Sequence, residues 1–308
     1  MKRVCSTMAA MLLAVSICGY ADGRAGSDEA DFYDRAVMAV VAKGQLRDGE
    51  LVEELAALGP AAIPALHRAM MRDEEPFPLK YVRAFDVIGD ARATEPLLDF
   101  LEKRRPFTDE VEQVLITHAL LVLARIGNKP DDPLLEEIFR SAIAHPRIRL
   151  YAAAALTTAK DGPLKREATA YVFDEYTNDE PQSEDPNERV LDDDFYEALV
   201  ILDTERSIQY LAGVLGAGVM RHNAQRIIPY FATLNGPVAT NALLAVADNE
   251  AHYEMPERLS ALEGVIGKID RGLADRKAKA LWVQSIEGGG SESTVNRAAD
   301  LVARAGQP

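Results

Sequence analysis

Cysteine is nearly missing from this chain. Its 308 residues include two, Cys5 and Cys18, so everything beyond residue 18 lacks thiolate nucleophiles, cysteine metal ligands and disulfides. Aromatic residues make up only 6% of the sequence, with a single tryptophan. Strands of a β-sandwich draw on aromatic and β-branched side chains, whereas an alanine-rich, aromatic-poor chain suits closely packed helices. Histidine is scattered over five positions, His67, His118, His145, His222 and His252, and no two stand at the HExxH spacing that places two metal ligands on one helix face. Each reads as a surface or packed side chain. There is no GxSxG elbow, phosphate-cradling loop or dinucleotide fingerprint. Gly213, Gly216 and Gly218 follow no strand, so they read as a loosened helix end. Positive charge is also short: 34 Lys and Arg stand against 49 Asp and Glu, a net charge of −15. Such a surface repels nucleic acid and anionic lipid, and excludes both as expected partners.

What is present begins with a targeting signal. Lys2 and Arg3 form a positive start, no charge follows until Asp22, and residues 9–18 are a short apolar run. Gly19-Tyr20-Ala21 puts small residues where a signal peptidase requires them, so 1–21 reads as a cleaved secretory signal. Gly23-Arg24-Ala25 is a second possible cleavage site. The run is short and diluted for a membrane anchor. Lipid anchoring through Cys18 stays open, although Ile17 precedes it where a small residue is usual. Cleavage removes two bases and no acid, leaving 32 against 49 and a net charge of −17. The expected location is the periplasm or the exterior of a bacterium, with no membrane span in the cleaved chain.

The organisation is repetitive. Gly59 is followed by Pro64-Ala65-Leu66, Gly89 by Pro96-Leu97-Leu98, and Gly127 by Pro133-Leu134-Leu135. Each glycine ends an apolar helical stripe and relieves a left-handed cap. Each proline sits early in the next helix, where its missing N–H costs little. The glycines lie 30 and 38 residues apart, the scale of a two-helix repeat. Val82-Arg83-Ala84, Ile88-Gly89-Asp90 and Pro96-Leu97-Leu98 resemble the short HEAT repeats of phycobilisome-lyase-like proteins. Ile148-Arg149-Leu150 with alanines 152–155 looks like the opening of another copy. The resemblance covers about residues 48–160. It implies an all-α, armadillo-type fold, a right-handed α-α superhelix, with a partner held on a concave surface lined by the second helix of each pair.

Further on, periodicity alone pairs the helices around Asp203-Thr204, Asn235-Gly236-Pro237 and Asp270-Arg271-Gly272. About seven hairpins are expected within residues 28–287. Residues 288–308 read as a Gly-rich joint and a terminal helix capped by Ser293 or Thr294. Residues 174–194, with ten acids and one arginine, read as a mobile insertion; Asp192, Asp193 and Asp194 supply oxygen ligands for calcium but lack the spacing of a calcium loop. Just before it, Arg140, Arg147, Arg149, Lys160, Lys165 and Arg166 read as a basic ridge, the candidate binding residues. The acidic insertion would compete with an acidic partner for that ridge, against the plainer reading of solvated helix edges. The expected function is a non-enzymatic protein- or peptide-binding scaffold of the cell envelope, with no cofactor. The alternatives are a lyase-like enzyme or cofactor-handling protein on the same scaffold, or a purely structural envelope protein.

Overall fold

A computed structural model describes residues 25–42, 48–72, 78–105, 110–127, 132–141, 144–158, 161–177 and 192–306. The signal segment 1–21 and most of the acidic insertion lie outside these residues. All regular structure among the described residues is helical. Two compact units divide the chain, residues 1–129 and 130–308.

The first unit holds α1 (Ala25–Val41), α2 (Asp48–Ala56), α3 (Ile63–Met70), α4 (Leu79–Ile88), α5 (Thr94–Glu102) and α6 (Glu110–Ile126). Helix α1 packs on α3 and α3 on α5, while α2 packs on α4 and α4 on α6. Each helix therefore faces its second neighbour in the chain. Gly89 and Gly127 close their helices at φ 61° and 69°, and Gly89 N–H donates to Phe85 O at 2.9 Å. Gly59, expected to do the same for α2, lies three residues beyond it and at φ 76°, ψ −178° opens the short 3-10 turn before α3. Behind these caps, Tyr81, Val82, Ala84 and Phe85 of α4 and Leu97, Phe100 and Leu101 of α5 are fully buried. They are the core that the 3.6-residue period marks out.

The second unit holds α7 (Pro133–Arg140), α8 (Pro146–Thr157), α9 (Pro163–Thr177), α10 (Asp192–Leu202), α11 (Glu205–Ala217), α12 (Arg221–Thr233), α13 (Pro237–Asp248), α14 (Met255–Val265), α15 (Arg271–Glu287) and α16 (Glu292–Ala305). Each helix packs on the next in the chain. The even-numbered ones, α8 through α16, also pack in succession. Helix α8 is buried on nearly every side, and alanines 152–155 let α7, α9 and α10 approach its backbone. Thr204 and Ser207 form a capping box at the start of α11, worth about 1 kcal/mol. The last helix is capped by Ser291, whose Oγ accepts from Thr294 N at 3.3 Å, rather than by Ser293 or Thr294. The glycine run before it is hydrogen-bonded: Gly290 N–H donates to Ser285 O at 2.9 Å.

Cations recur at helix C-termini, where exposed carbonyls and the helix dipole favour them. Arg149 and Arg258, each fourth in its helix, donate to Phe139 O (3.2 Å) and Ala247 O (2.9 Å) at the end of the preceding helix. Lys103 Nζ reaches Met71 O at 3.0 Å. Several ties between second-neighbour helices share a chain separation of 32–34 residues, as in Arg68–Asp34, Arg297–Glu263, Arg221–Glu254, Arg226–Asp193 and Lys103–Met71, while others span 27 to 47.

The caps make a paired prediction. Gly89→Ala forces a side chain into the left-handed region and lowers stability by about 1–2 kcal/mol. Gly213→Ala, inside α11 with nothing within 4 Å of the added methyl, raises it by about 0.5–1 kcal/mol. Urea denaturation of both variants against wild type checks the two signs.

Candidate functional site

The six basic residues expected to form one ridge are dispersed by the fold. Arg140 is fully engaged on the surface. Its Nη1 and Nη2 donate to Glu167 Oε1 and Oε2, both at 2.9 Å, and its Nε to Glu136 Oε1 at 2.9 Å. Arg149 is turned onto the Phe139 carbonyl and lies 5.0 Å from the Tyr171 ring centroid. Lys160 lies outside the described residues. Arg147, Lys165 and Arg166 go to two separate places.

Arg147 belongs to a buried polar network that joins α8, α10 and α12. Its guanidinium grips Asp194 with Nε to Oδ2 at 2.7 Å and Nη2 to Oδ1 at 2.9 Å. Tyr151 Oη, from the next turn of α8, donates to Asp194 Oδ1 at 2.9 Å. Arg226 of α12 approaches Glu197 Oε2 at 3.6 Å and donates to Asp193 O at 3.3 Å. His222 Nε2 lies 2.7 Å from Asp193 Oδ1.

This placement corrects the reading of residues 174–194. Residues 174–177 complete α9, and 192–194 are the first turn of α10. Asp194 is only 4% exposed. Carboxylates are favoured at a helix N-terminus by its dipole, and here two of them are also spent on cations of neighbouring helices. Residues 178–191 lie outside the described residues. Among the described residues, no three His, Cys, Asp or Glu gather as metal ligands would.

The histidines are equally separate. His67 lies 3.5 Å from Asp99, and His118 Nδ1–H donates to Val114 O at 2.8 Å. His145 caps α8, and His252 lies under Gly218, where an added Cβ would come within 2.7 Å of the ring. Gly213 and Gly216 fall inside α11 and Gly218 closes it at φ 92°, the helix end expected of them.

Lys165 and Arg166 line an open cleft of about 600 Å³ between α9 and α11. Arg206, from the first turn of α11, completes it. Its guanidinium lies 3.8 Å from the centroid of the Phe173 ring, a cation–π contact that fixes the position of the charge. Phe173 is itself held edge-on by Tyr210 at 6.0 Å. Lys165 pairs with Asp161 at 3.0 Å, and Asp161 is the sole acid among the described residues of the lining, with its side chain 95% exposed. Arg166 is exposed and, among the described residues, makes no ion pair or side-chain hydrogen bond. Three cations thus line the cleft within an acidic chain.

A smaller cleft of about 480 Å³ lies between α13 and α15. Two of its cations are paired, Lys277 with Asp248 at 2.6 Å, and Arg258 with Gln284 at 2.9 Å and Glu250 at 3.8 Å, while Arg276 also lines it. Both clefts sit between consecutive odd-numbered helices.

No known protein family, curated protein or solved structure matches this chain. The α9–α11 cleft therefore carries the functional argument through its own residues. Sequence reading had missed Arg206 and Phe173. They stand 33 residues apart, the separation that recurs in the inter-helix ties, and that spacing is the signal that would have joined them.

The buried network makes its own prediction. Burial, then the nearby carboxylates of Asp194 and Glu197, push the Tyr151 hydroxyl well above its ordinary range. A pKa raised by folding gives stability that is complete below about pH 10 and is lost as pH climbs beyond it. Tyr151→Phe should reduce the loss of stability between about pH 8 and 11, followed by urea denaturation at both values. Asp194→Asn leaves Arg147 without its anion and costs about 2 kcal/mol, less than a fully buried pair because the Arg147 side chain is 35% exposed.

Proposed function

We propose that the chain is a non-enzymatic scaffold of the bacterial cell envelope that binds a protein or peptide partner along its odd-numbered helices, the second helices of a HEAT-like right-handed solenoid of about seven hairpins. The observation that carries this reading is the position of two clefts that open between consecutive second helices, α9 with α11 and α13 with α15; a third, of about 480 Å³, lies against α15 and α16. An array of this kind buries its hairpins against one another and leaves the grooves of one row to a ligand. The second-neighbour packing, the left-handed glycine caps and the separations of 32–34 residues between bridging side chains support the repeat. The motifs at Val82–Asp90 and Pro96–Leu98 support the HEAT type.

Export rests on the sequence of residues 1–21. Among the described residues no helix is long and apolar enough to cross a membrane. Buried Tyr151 and Asp194 belong to the packing of α8 on α10 and line neither cleft, whereas buried Arg258 lines the smaller one.

Affinity capture tests the reading. Mature protein is used as bait in envelope extracts at low and high salt, beside a variant with Lys165, Arg166 and Arg206 changed to glutamate. A partner retained by wild type and lost by the variant is the expected result. Equal capture by both would move the site elsewhere, and no partner at either salt would remove the scaffold reading.

A further inference from the structure

We infer that the α9–α11 cleft recognises an acidic segment of its partner, with carboxylate side chains seated on Lys165, Arg166 and Arg206. This rests on the reading of the cleft as a partner site and names the chemistry it selects.

The cations are arranged for more than one carboxylate. Lys165 and Arg166 come from α9 and Arg206 from α11, so positive charge stands on both walls. The rest of the lining includes Thr169, Ala170, Phe173 and Thr204, which give two hydroxyls and an apolar floor. A lone small anion would fill a small part of about 600 Å³, whereas an extended peptide carrying alternating carboxylate and apolar side chains addresses both walls and floor.

Each cation also has a reason to take a ligand. Stacking on Phe173 holds Arg206 in place, so little side-chain entropy is lost when a carboxylate arrives. Lys165 has only the exposed Asp161, and such a surface pair contributes at most about 1 kcal/mol and exchanges readily. Arg166 brings a full charge with no ion-pair partner among the described residues. The net charge of −15 on the whole chain does not oppose this at close range. At physiological salt a charge is screened beyond about 8 Å, so a ligand in the cleft responds to the three cations around it. That contrast also gives selectivity: the cleft is a cationic place on a molecule of net negative charge.

The test uses the full mature chain and a fluorescein-labelled glutamate-rich peptide that also carries leucine. A second peptide has glutamine in place of every glutamate, and inorganic phosphate serves as a competitor. Anisotropy is read at about 50 and 200 mM salt. The glutamate peptide is expected to bind and to weaken with salt, and the glutamine peptide to bind at least about tenfold more weakly. Arg166→Glu and Arg206→Glu should each reduce affinity about tenfold, and Arg166→Lys should restore most of it. Arg304→Glu, on α16, should leave it unchanged. Circular dichroism melts keep loss of folding apart from loss of binding.

Equal binding of the two peptides, or wild-type affinity in both charge-reversed variants, would overturn the inference. So would complete displacement by phosphate at concentrations that leave ionic strength unchanged, which would mark a simple anion site. If the peptide fails to bind while the cleft variant still loses its envelope partner, the acidic chemistry is wrong and the scaffold reading stands. If neither binds, both fall.

Discussion

The carboxylate of Asp194 is the fixed point of the second unit. It is buried at the first turn of α10, ion-paired with Arg147 and held by one hydrogen bond each from Arg147 and Tyr151, both on α8. A charge withdrawn from water is tolerated only with close, oriented partners, so this contact permits few positions of α10 against α8. Only two residues separate α10 from α11, and Asp203 between them takes a left-handed φ of 46°. The placement of α10 is therefore passed to α11. Arg206, two residues into α11, comes to lie on Phe173 of α9. The cleft is thus a consequence of a buried ion pair in the adjacent row of helices.

The same logic separates structural charge from available charge. Arg140, Arg147 and Arg149 were candidates on the same footing as Lys165 and Arg166. Glu167, Asp194 and the Phe139 carbonyl occupy the first three with short, directional bonds. What distinguishes Arg166 is that no described acid reaches it. Cations near helix C-termini and carboxylates at helix N-termini both serve helix dipoles, and this acidic chain uses many of its bases this way.

Much of the fold was legible residue by residue. Gly89 and Gly127 announced left-handed caps because only glycine adopts that conformation without a steric cost. Tyr81, Phe85 and Leu97 announced a core because apolar side chains at helical spacing must face inward. The cap of the last helix was misread by two or three residues: Ser291, Ser293 and Thr294 are interchangeable as cap residues in sequence, and the hydrogen-bond geometry selects Ser291. The acidic stretch was misread at its ends. Asp193 and Asp194 look like solvated charge until Arg226 and Arg147, 33 and 47 residues away, are placed beside them.

Sequence alone determined the helical class, the position of the turns and the residues that face the core, since these depend on local backbone energetics and on a period of 3.6 residues. It also set the charge balance and the absence of cysteine chemistry. Tertiary structure decided which of the basic residues remain open to a ligand. That choice depends on pairings across 27 to 47 residues, and a charge is spent or available only according to which helix packs beside it.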